Sequence, residues 1–571
     1  MLIAARSRKW PLRIIALGGM NEIGKNCYVI EYEDDMLVVD AGLAFPEEEM
    51  LGVDVVIPDF TYLKENRHRL RAVLLTHGHE DHVGGLPYLL REVQVPVYAT
   101  GLTLGLVRHK LKEYGLELHP DSRVIDPGRW LEIGRFRVLP YLVTHSIPDS
   151  VGFGVETPVG TVVYTGDYKF DQTPVDGRPA DYAALAELGR RGVLVMLGDS
   201  TNADRPGVTP SERSVGAAIA EVIARASGRV LVATFASNVH RIQQVIDASA
   251  RYGRKVAVLG RSMEQTVQVA ADLGYLRGAG GVLVRLEHMR DMPPERCTIL
   301  TTGSQGEPLS ALTRMSTGDH RRFQIEPGDT VVIAATPIPG NEKLVYRTIN
   351  NLFRLGAQVV YGREAGVHAS GHGSQEELKL MLNLLKPRFL VPVHGEYRHM
   401  ILHRRLAVEM GIPEERVLIG GNGDVFGFDG ERGEIISGVP SGTVLVDGLG
   451  VGDVGQVVLR DRQQLAQDGI LIAVVGVRAG TAEIVSGPEI ISRGFVYMRE
   501  AEDLIEEVRR RAADAVASRA GEGDVNWTEL KSAIRDALAG FLYEKTHRRP
   551  MIVPVVLEVE QPAVAAAERD G

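Results

Sequence analysis

The sequence contains very little cysteine: Cys27 and Cys297 are the two among 571 residues. Two cysteines cannot form the disulfide framework of a small secreted domain. Structural disulfides are also rare in proteins of reducing compartments. The composition therefore predicts a cytoplasmic protein.

Long apolar runs are also missing. The longest strongly apolar segment covers about residues 469–477, whereas a helix that crosses a bilayer needs ~20 apolar residues. The basic start of the chain, MLIAARSRKW, is followed by neither a long apolar core nor a small-residue cleavage site. It is therefore not predicted to be a secretory signal, and we expect no membrane partner.

The motifs of two other enzyme classes are absent. No G-x-S-x-G sequence occurs, so a covalent serine hydrolase has no support. The glycine-rich segment 421–433 lacks the lysine pattern of a nucleotide-binding loop and instead predicts hairpin turns. The net charge of −10 argues mildly against nucleic-acid binding, although local charge and bound cations matter more than the total.

What the chain does contain is an ordinary globular composition, with 44% hydrophobic and 24% charged residues. Its length indicates several domains. Short β-branched runs fill the first third, and from about residue 211 to 373 helical stretches alternate with apolar strands, as in a parallel sheet covered by helices. Strand-rich sequence then returns. We predict an α/β chain in which a domain at 211–373 is inserted between two parts of another domain, 1–210 and 374–460.

A third unit is predicted at residues 461–571, consisting of a linker and a small C-terminal α+β domain with one strand and two amphipathic helices. The second helix is expected from about Trp527 to Glu544, and Asn526 with Glu529 matches the pattern of a capping box. Its apolar stripe consists of Leu530, Ile534, Leu538 and Phe541. The stripe must be buried either against its own domain or in a self-association interface, and the sequence leaves both alternatives open.

The strongest chemical signal is THGHEDHVGGLPYLL at residues 76–90. His77 and His79 are two residues apart and face the same way in an extended backbone, while Asp81 and His82 follow where a helix is expected to begin. Imidazole and carboxylate groups are zinc ligands. Four of them exceed what one tetrahedral ion with an open position can use, so we predict two ions; the alternative is a polar loop with incidental histidines.

Further candidate ligands come directly after predicted strands: Asp40, His145, Asp167 and His394. Each alone fits a structural turn residue or a cap as well as a ligand. A sheet sandwich, however, builds a site by collecting polar groups at the ends of its strands. Together with the first cluster, these residues favour a metal site.

Four motifs resemble the successive metal motifs of the metallo-β-lactamase superfamily: VVDAG (38–42), HGHEDH (77–82), TH (144–145) and TGD (165–167). The resemblance implies an αββα sandwich with the site at one sheet edge. It implies a first metal held by His77, His79, His145 and Asp167. It implies a second metal held by Asp81, His82, His394 and the bridging Asp167, with Asp40 as a supporting residue.

The 226 residues between Asp167 and His394 narrow the substrate, because a compact small-molecule hydrolase has no use for so large an insertion. The segments GDSTNA (198–203), ATFASNVHRIQQV (233–245) and GVHASGHGSQEELK (366–379) resemble motifs of the β-CASP group, the nucleic-acid branch of the superfamily. In that resemblance Asp199 is the acidic motif, and His372 and His394 are the middle and last histidines. HASGHGSQEEL with PVHGEY resembles the ribonuclease J family, and the similarity covers nearly the whole chain.

This resemblance implies a metal-dependent phosphodiesterase that degrades RNA 5′ to 3′ and also cuts it internally, in cytoplasmic RNA maturation and decay. It implies RNA as a partner and two divalent ions, with Zn²⁺ expected and Mn²⁺ as the alternative. It also implies a homodimer or homotetramer, which favours self-association through the apolar stripe of the second C-terminal helix. The catalytic candidates are His372, Asp81 and Asp199. The rival hypotheses are a nuclease acting only internally or on DNA, a small-ester hydrolase and an inactive RNA-binding scaffold.

The loop HASGHGS at 368–374 has the composition of a phosphate site. Its glycines allow close backbone approach, and its histidines and serines offer donors. The alternative is a polar turn before a helix with Ser374 as the N-cap. We predict a pocket for the 5′ phosphate of RNA from four residues, the first of them at a predicted helix N-terminus: Ser237, His368, Ser370 and His372.

Overall fold

The computed structural model describes residues 10–307, 309–337, 341–448, 450–478, 483–496, 501–519 and 526–559. The basic start of the chain, residues 1–9, lies outside these ranges. Two compact units are present, one built from the described parts of 1–45 and 55–444 and the other from the described parts of 46–54 and 445–571. No described helix combines the length and the apolar composition that a membrane span requires.

The first 200 residues are dominated by strands. The strands are β1 (Leu12–Gly18), β2 (Met20–Asn21), β3 (Cys27–Tyr32), β4 (Asp35–Val39), β5 (Val55–Pro58), β6 (Leu70–Leu74), β7 (Val97–Ala99), β8 (Arg123–Val124), β9 (Leu131–Ile133), β10 (Phe136–Leu142), β11 (Val151–Thr157), β12 (Gly160–Tyr164) and β13 (Val193–Asp199). The helices are α1 (Thr61–Glu65), α2 (Glu80–Val83), α3 (Leu86–Glu92), α4 (Gly101–Glu113) and α5 (Tyr182–Arg191).

The inserted region forms an all-parallel sheet in the order β15-β16-β14-β17-β18. Its strands are β14 (Val230–Ala233), β15 (Lys255–Leu259), β16 (Cys297–Thr301), β17 (Thr330–Ile333) and β18 (Gln358–Val360). Its helices are α6 (Glu212–Arg225), α7 (Val239–Arg251), α8 (Arg261–Asp272), α9 (Ala279–Val282), α10 (Ala311–Ser316) and α11 (Glu342–Arg354). Alternate residues of β14 point into two apolar clusters, one with α6, α7 and α8 and the other with α10 and α11. The last strand of this sheet ends at Val360, and the end of the inserted domain at residue 373 stays a prediction.

The chain then returns to the first domain through α12 (Gln375–Leu385), β19 (Phe389–Val393), β20 (Gly395–Glu396), α13 (Tyr397–Glu409), β21 (Asp424–Phe428) and β22 (Gly433–Gly438). One sheet has the order β22-β21-β1-β3-β4-β6-β7-β8 and the other β19-β13-β12-β11-β10-β9. Their facing sides share one apolar core, with Leu37 and Leu74 from the first sheet and Phe153 and Val195 from the second. Helices α5 and α12 cover the outer face of the second sheet. The predicted sandwich with an inserted α/β domain is confirmed, and the hairpin predicted at 421–433 is β21 with β22.

Parallel neighbours in the two sheets bring the ends of five strands together. In the first sheet β4 runs parallel to β6, so Asp40 and the His77 loop follow adjacent strands. In the second sheet β12, β13 and β19 are parallel. Asp167 therefore follows β12, Asp199 ends β13 and His394 follows β19 at one edge of the sandwich.

The smaller unit is formed mainly by β23 (Thr443–Asp447), β24 (Gly450–Val451), α14 (Gln456–Asp468), β25 (Ile470–Arg478), β26 (Ile484–Arg493), α15 (Glu502–Ala517), α16 (Trp527–Thr546) and β27 (Met551–Val559). Strand β25 is central, antiparallel to β26 and parallel to β27. The Asn526 side chain accepts from the backbone N–H groups of Thr528 and Glu529, which caps α16 as expected. Helix α14 was not anticipated from the sequence.

The apolar stripe of α16 packs inside this unit. Leu530, Ile534, Leu538 and Phe541 are at most 5% exposed. They lie against Leu471 and other β25 side chains and against α15. The stripe is therefore buried within its own domain, and the prediction of self-association through it is wrong, because these side chains are not available to a second copy.

Candidate metal centre

The HGHEDH motif occupies the turn between β6 and α2. His79 is the extended residue before α2, and Asp81 and His82 lie in the helix itself. Two neighbouring segments hold this helix. Before β3, Asn26 N–H donates to Asp81 O (3.0 Å), and after β4, Ala41 N–H donates to His82 O (2.8 Å). Gly42 permits this approach: a Cβ there would lie 1.7 Å from Asp81 O. These backbone contacts therefore hold the side chains of the motif in a fixed position.

The first predicted ligand group is assembled. His77 Nε2 lies 2.9 Å and His145 Nε2 lies 3.1 Å from the same atom, His79 Nδ1. Asp167 Oδ2 is 3.7 Å from His77 Nε2 and 3.8 Å from His145 Nε2. All four residues present ligand atoms within 4.8 Å of one another.

The second predicted group shares Asp167 with the first. Asp167 Oδ2 is 3.2 Å from His82 Nε2, and Asp81 Oδ2 is 3.2 Å from His394 Nε2. His394 Nδ1 lies 3.0 Å from Asp167 Oδ1. These four residues also present ligand atoms within 4.8 Å of one another. The geometry therefore gathers the seven predicted ligands into two groups that meet at Asp167.

The protonation of the first group indicates that a cation belongs there. His145 Nδ1 is 2.8 Å from the carbonyl oxygen of Gly371 and so must carry the ring proton, which leaves the Nε2 lone pair directed at the cluster. Burial, followed by neighbouring histidines, lowers the pKa of His77 and of His145 well below the ordinary value. Burial likewise lowers the pKa of His79 to about 4. Neutral rings offer unprotonated nitrogens as ligands, and a cation among them would accept the lone pairs that converge on this place.

The second group is electrostatically different. Burial alone would lower the pKa of His82 and of His394, but Asp167 and other nearby carboxylates raise both well above the ordinary value. Burial would raise the pKa of Asp81, but His82 and His394 hold it below its usual range. Without a metal, protons on these two rings supply the positive charge that the carboxylates need. The donor set and its charge fit divalent cations in both groups.

Asp40 lies behind the candidate ligands, in contact with His82. Its Oδ2 accepts from His82 Nδ1 (2.7 Å), which leaves His82 Nε2 for the cluster. Asp40 Oδ1 also accepts from the backbone N–H of Thr76 (2.8 Å), and the Thr76 hydroxyl contacts His77 Nδ1 (3.0 Å). Asp40 and His394 have φ values of 60° and 52°, a left-handed conformation that costs free energy for non-glycine residues and is typical of functional sites.

His372 faces the two groups from the opposite side. Its Nδ1 is 2.8 Å from Asp199 Oδ2 and its Nε2 is 3.9 Å from Asp167 Oδ2. Burial would lower the pKa of His372, but Asp199 and Asp167 raise it above the ordinary value. Asp167, Asp199, His372 and His394 form a third group whose ligand atoms lie within 4.8 Å.

The predicted phosphate residues lie around the same loop. The Ser370 hydroxyl accepts from Asn202 Nδ2 (2.9 Å) and from the backbone N–H of His372 (3.2 Å). His368 Nδ1 is 3.4 Å from Nη1 of Arg241, which lies in the first turn of α7. Ser237 immediately precedes Asn238, the cap of that helix. Ser374 caps α12 in a capping box with Glu377.

Sequence reasoning missed the residues that hold these side chains in place. Thr76, Asn202 and Arg241 make the contacts just described, and Arg241 is fully buried in a bidentate ion pair with Glu212 at 2.9 Å for both bonds. Thr76 had a sequence signal, since it ends a predicted strand beside the motif. Asn202 stands in the GDSTNA motif, but its partners are 168 and 170 residues away. Arg241 stands in ATFASNVHRIQQV, but nothing local indicates its ion pair with Glu212.

Family models match the chain in four stretches. Residues 20–218 match the metallo-beta-lactamase superfamily and residues 227–352 match the ribonuclease J beta-CASP domain. Residues 356–418 match a Zn-dependent metallo-hydrolase RNA specificity domain, and residues 457–559 match the ribonuclease J C-terminal domain.

One solved structure, of a protein of unknown function from Enterococcus faecalis V583, is similar with a TM-score of 0.51 and 15% identity. It covers 72% of this chain and 99% of its own, and supports the fold alone.

Several curated proteins are similar over nearly their whole length. Ribonuclease J2 of Bacillus subtilis is 50% identical, covering 96% of this chain and 99% of its own. Ribonuclease J of Thermus thermophilus is 48% identical, covering 96% and 95%. Ribonuclease J 1 of Streptococcus pyogenes is 45% identical, covering 95% and 97%. The chain therefore belongs to the ribonuclease J family.

Proposed function

We propose that this protein is a two-metal ribonuclease that digests RNA from its 5′ end and also cuts it internally. The observation that carries the proposal is the pair of ligand groups sharing Asp167. Two ions at about 4 Å can stabilise both the attacking and the leaving oxygen of a phosphoryl transfer. The relatives' names, all ribonuclease J, favour RNA as the substrate. Cysteine usage favours the cytoplasm.

In this proposal the metal site activates the attacking water, and His372 donates a proton to the leaving oxygen. When bound, the divalent ions supply a nucleophilic water at neutral pH and neutralise charge on the phosphoryl oxygens. Asp81 and Asp167 supply carboxylate ligands, and Asp81 lies on the side where RNA would approach, since its side chain is 31% exposed. Imidazole-rich ligation favours Zn²⁺, with Mn²⁺ as the alternative.

His372 acts in this proposal as the proton donor to the leaving oxygen. Asp199 accepts from its Nδ1, so the protonated ring carries its second N–H on Nε2, beside Asp167. The Asp199 carboxylate stabilises that protonated form. Asp199 thus keeps the donor charged and fixes the direction in which its proton points.

The first prediction concerns metal content. His77→Ala should abolish cleavage of RNA, because it removes one of the converging ring nitrogens, while the apolar sandwich core should remain folded. Elemental analysis of the active wild-type protein should find two divalent ions per chain, and fewer in the variant. His68→Ala, at an exposed histidine, is the matched control and should keep both ions and full activity. One ion or none in active wild-type protein would contradict the two-metal site.

The second prediction separates a proton donor from a ligand at His372. His372→Ala should lower kcat by about 10²- to 10⁴-fold, the usual contribution of a positioned acid or base. Metal content should stay at the wild-type level. Loss of an ion would instead make His372 a ligand, as the third group of Asp167, Asp199, His372 and His394 would allow.

A pocket for the 5′ phosphate fits the loop beside His372. Arginine has only donors, so the contact with Arg241 favours an acceptor at His368 Nδ1 and places the ring proton on Nε2. Burial, followed by Arg241, lowers the pKa of His368 to about 3, so the ring is neutral. The Ser370 hydroxyl accepts two hydrogen bonds and retains its own hydrogen for a phosphate oxygen. Ser237 adds a hydroxyl near the start of α7.

The third prediction is a preference for a 5′ monophosphate end. A limited set of neutral donors leaves the extra charge of a triphosphate unpaired, which is costly. Wild-type protein should therefore digest monophosphorylated RNA faster than triphosphorylated RNA in a time course with end-labelled substrates. Ser370→Ala should reduce the difference between the two digestion rates, whereas the rate of internal cleavage should stay at the wild-type value.

Ser237→Ala serves as a second pocket variant, because Ser370 also contacts the backbone of His372 whereas Ser237 lies on a different element. A matched DNA substrate tests whether the enzyme is restricted to RNA. Equal exonuclease rates on the two RNA forms with wild-type protein would refute the pocket.

Self-association through the C-terminal domain is also proposed, but not through the α16 stripe, which is buried. The face of the sheet opposite the helices carries a row of apolar side chains, with Ile472 paired to Ile491 and to Val553. Ile491 is 37% exposed, and Leu557 on the same face is 52% exposed. A second copy covering this face would remove an exposed apolar patch from water, giving a homodimer or homotetramer.

The fourth prediction tests this face. Leu557→Lys should weaken association, because a buried unpaired ammonium in an apolar interface is costly. Multi-angle light scattering should then give a smaller mass than for the wild type. Val124→Lys, at an equally exposed position of the larger unit, should leave the mass unchanged. A wild-type mass for Leu557→Lys would exclude the face as an interface.

A further inference from the structure

Three segments that carry site residues meet at one buried carboxylate. Glu377 lies in the first turn of α12 and is 4% exposed. Its Oε1 accepts from the backbone N–H of Phe170 (2.8 Å). Its Oε2 accepts from the backbone N–H groups of Thr209 (2.7 Å) and Ser374 (2.8 Å). Within the described residues, no basic side chain forms an ion pair with it.

Each of these partners belongs to a different part of the site. Phe170 follows the bridging ligand Asp167 by three residues, Thr209 stands on the segment that leads away from Asp199, and Ser374 closes the loop that carries His372. Direct bonds also join these segments in pairs, from Gly373 N–H to Tyr168 O (2.6 Å) and from Thr209 Oγ1 to His372 O (2.8 Å). Glu377 is the only side chain that bonds to all three in the described structure.

Helix capping accounts for one of the three bonds. In the capping box of α12, Glu377 reaches back to the N-cap backbone at Ser374. The bonds to Phe170 and Thr209 cross 207 and 168 residues of sequence and lie outside that motif. A carboxylate that accepts three backbone N–H groups in a buried place holds all three in one arrangement, since losing any of them leaves a buried donor unsatisfied.

We propose that Glu377 is a positioning residue for the cleavage reaction, because its carboxylate fixes the His372 loop relative to Asp167 and Asp199. It touches neither the ligand groups nor the place where the phosphate would lie. It acts through His372, whose backbone carbonyl also accepts from Asn202 Nδ2 (2.8 Å). This inference rests on the proposed role of His372 as the proton donor.

The test is a double-mutant cycle between Glu377 and His372. Glu377→Gln keeps the size of the side chain, but its amide can offer only one acceptor atom to the three N–H groups. We expect kcat to fall by about 10- to 100-fold, since displacement of a catalytic group by about 1 Å can have that effect. KM and metal content should stay at wild-type values. In the His372→Ala background, Glu377→Gln should cause no further loss, because residues that act as a unit are not additive.

Amide hydrogen exchange tests the same inference without depending on enzymatic activity. Amide hydrogen exchange in the segment 370–374 should be faster in Glu377→Gln than in the wild type, because Ser374 N–H loses its acceptor. The adjacent Glu376→Gln is the matched control: Glu376 is exposed and pairs with Lys379, so kcat and exchange should be unchanged.

Two results would overturn the inference: wild-type kcat in Glu377→Gln, or a loss that multiplies with that of His372→Ala. If the amide variant does not fold, Glu377→Asp, which keeps the charge on a shorter side chain, enters the same cycle under the same criteria. Failure of the proposed function is distinguishable, because it would appear as full activity in His372→Ala itself. A normal His372→Ala defect with an additive Glu377 effect rejects only the positioning role.

Discussion

The structure depends on holding five imidazoles and two carboxylates in direct contact at one edge of the sandwich. His77 and His145 both direct Nε2 at His79 Nδ1, and the contacts of about 3 Å are unfavourable between unprotonated nitrogens unless a cation is present. Burial of the apolar core between the sheets offsets the unfavourable free energy of this edge. The left-handed backbone at Asp40 and His394 adds to the free-energy cost of this edge of the sandwich.

Strand direction explains why the edge can be built. Asp40 and His77 follow the parallel pair β4 and β6, whereas Asp167, Asp199 and His394 lie at the ends of the parallel strands β12, β13 and β19. A further candidate ligand, His145, comes from the turn after β10, where Thr144 pairs with Lys169 beyond Asp167. Because the ends of β12, β13 and β19 adjoin, a domain of more than 100 residues can be inserted between β13 and β19 without separating Asp167 from His394.

The layered fold could be predicted from the sequence, and so could the residues that meet at the candidate site, because both depend on local patterns. Histidine spacing at 77–82 and polar residues after apolar strands indicate the candidate ligands, and alternating helices and strands indicate the insertion. What the sequence could not indicate depends on contacts between distant residues. Glu377 and Ser374 follow a capping-box pattern, yet the bonds from Glu377 to Phe170 and Thr209 have no local signal. Likewise the α16 stripe predicts burial, but only the packed domain decides which surface covers it.

The loop at 370–374 contacts the candidate metal ligand His145 and also carries the proposed proton donor, His372. The carbonyl of Gly371 fixes the proton of His145 on Nδ1, so this loop determines which nitrogen of a ligand is available to a metal. The next residue, His372, is oriented by Asp199 on the adjacent strand. A Cβ at position 371 would lie 2.5 Å from the His145 ring, so glycine is required for that approach. The loop therefore fixes both the proton position on His145 and the orientation of His372, which is a physical reason for anchoring it to three separate segments.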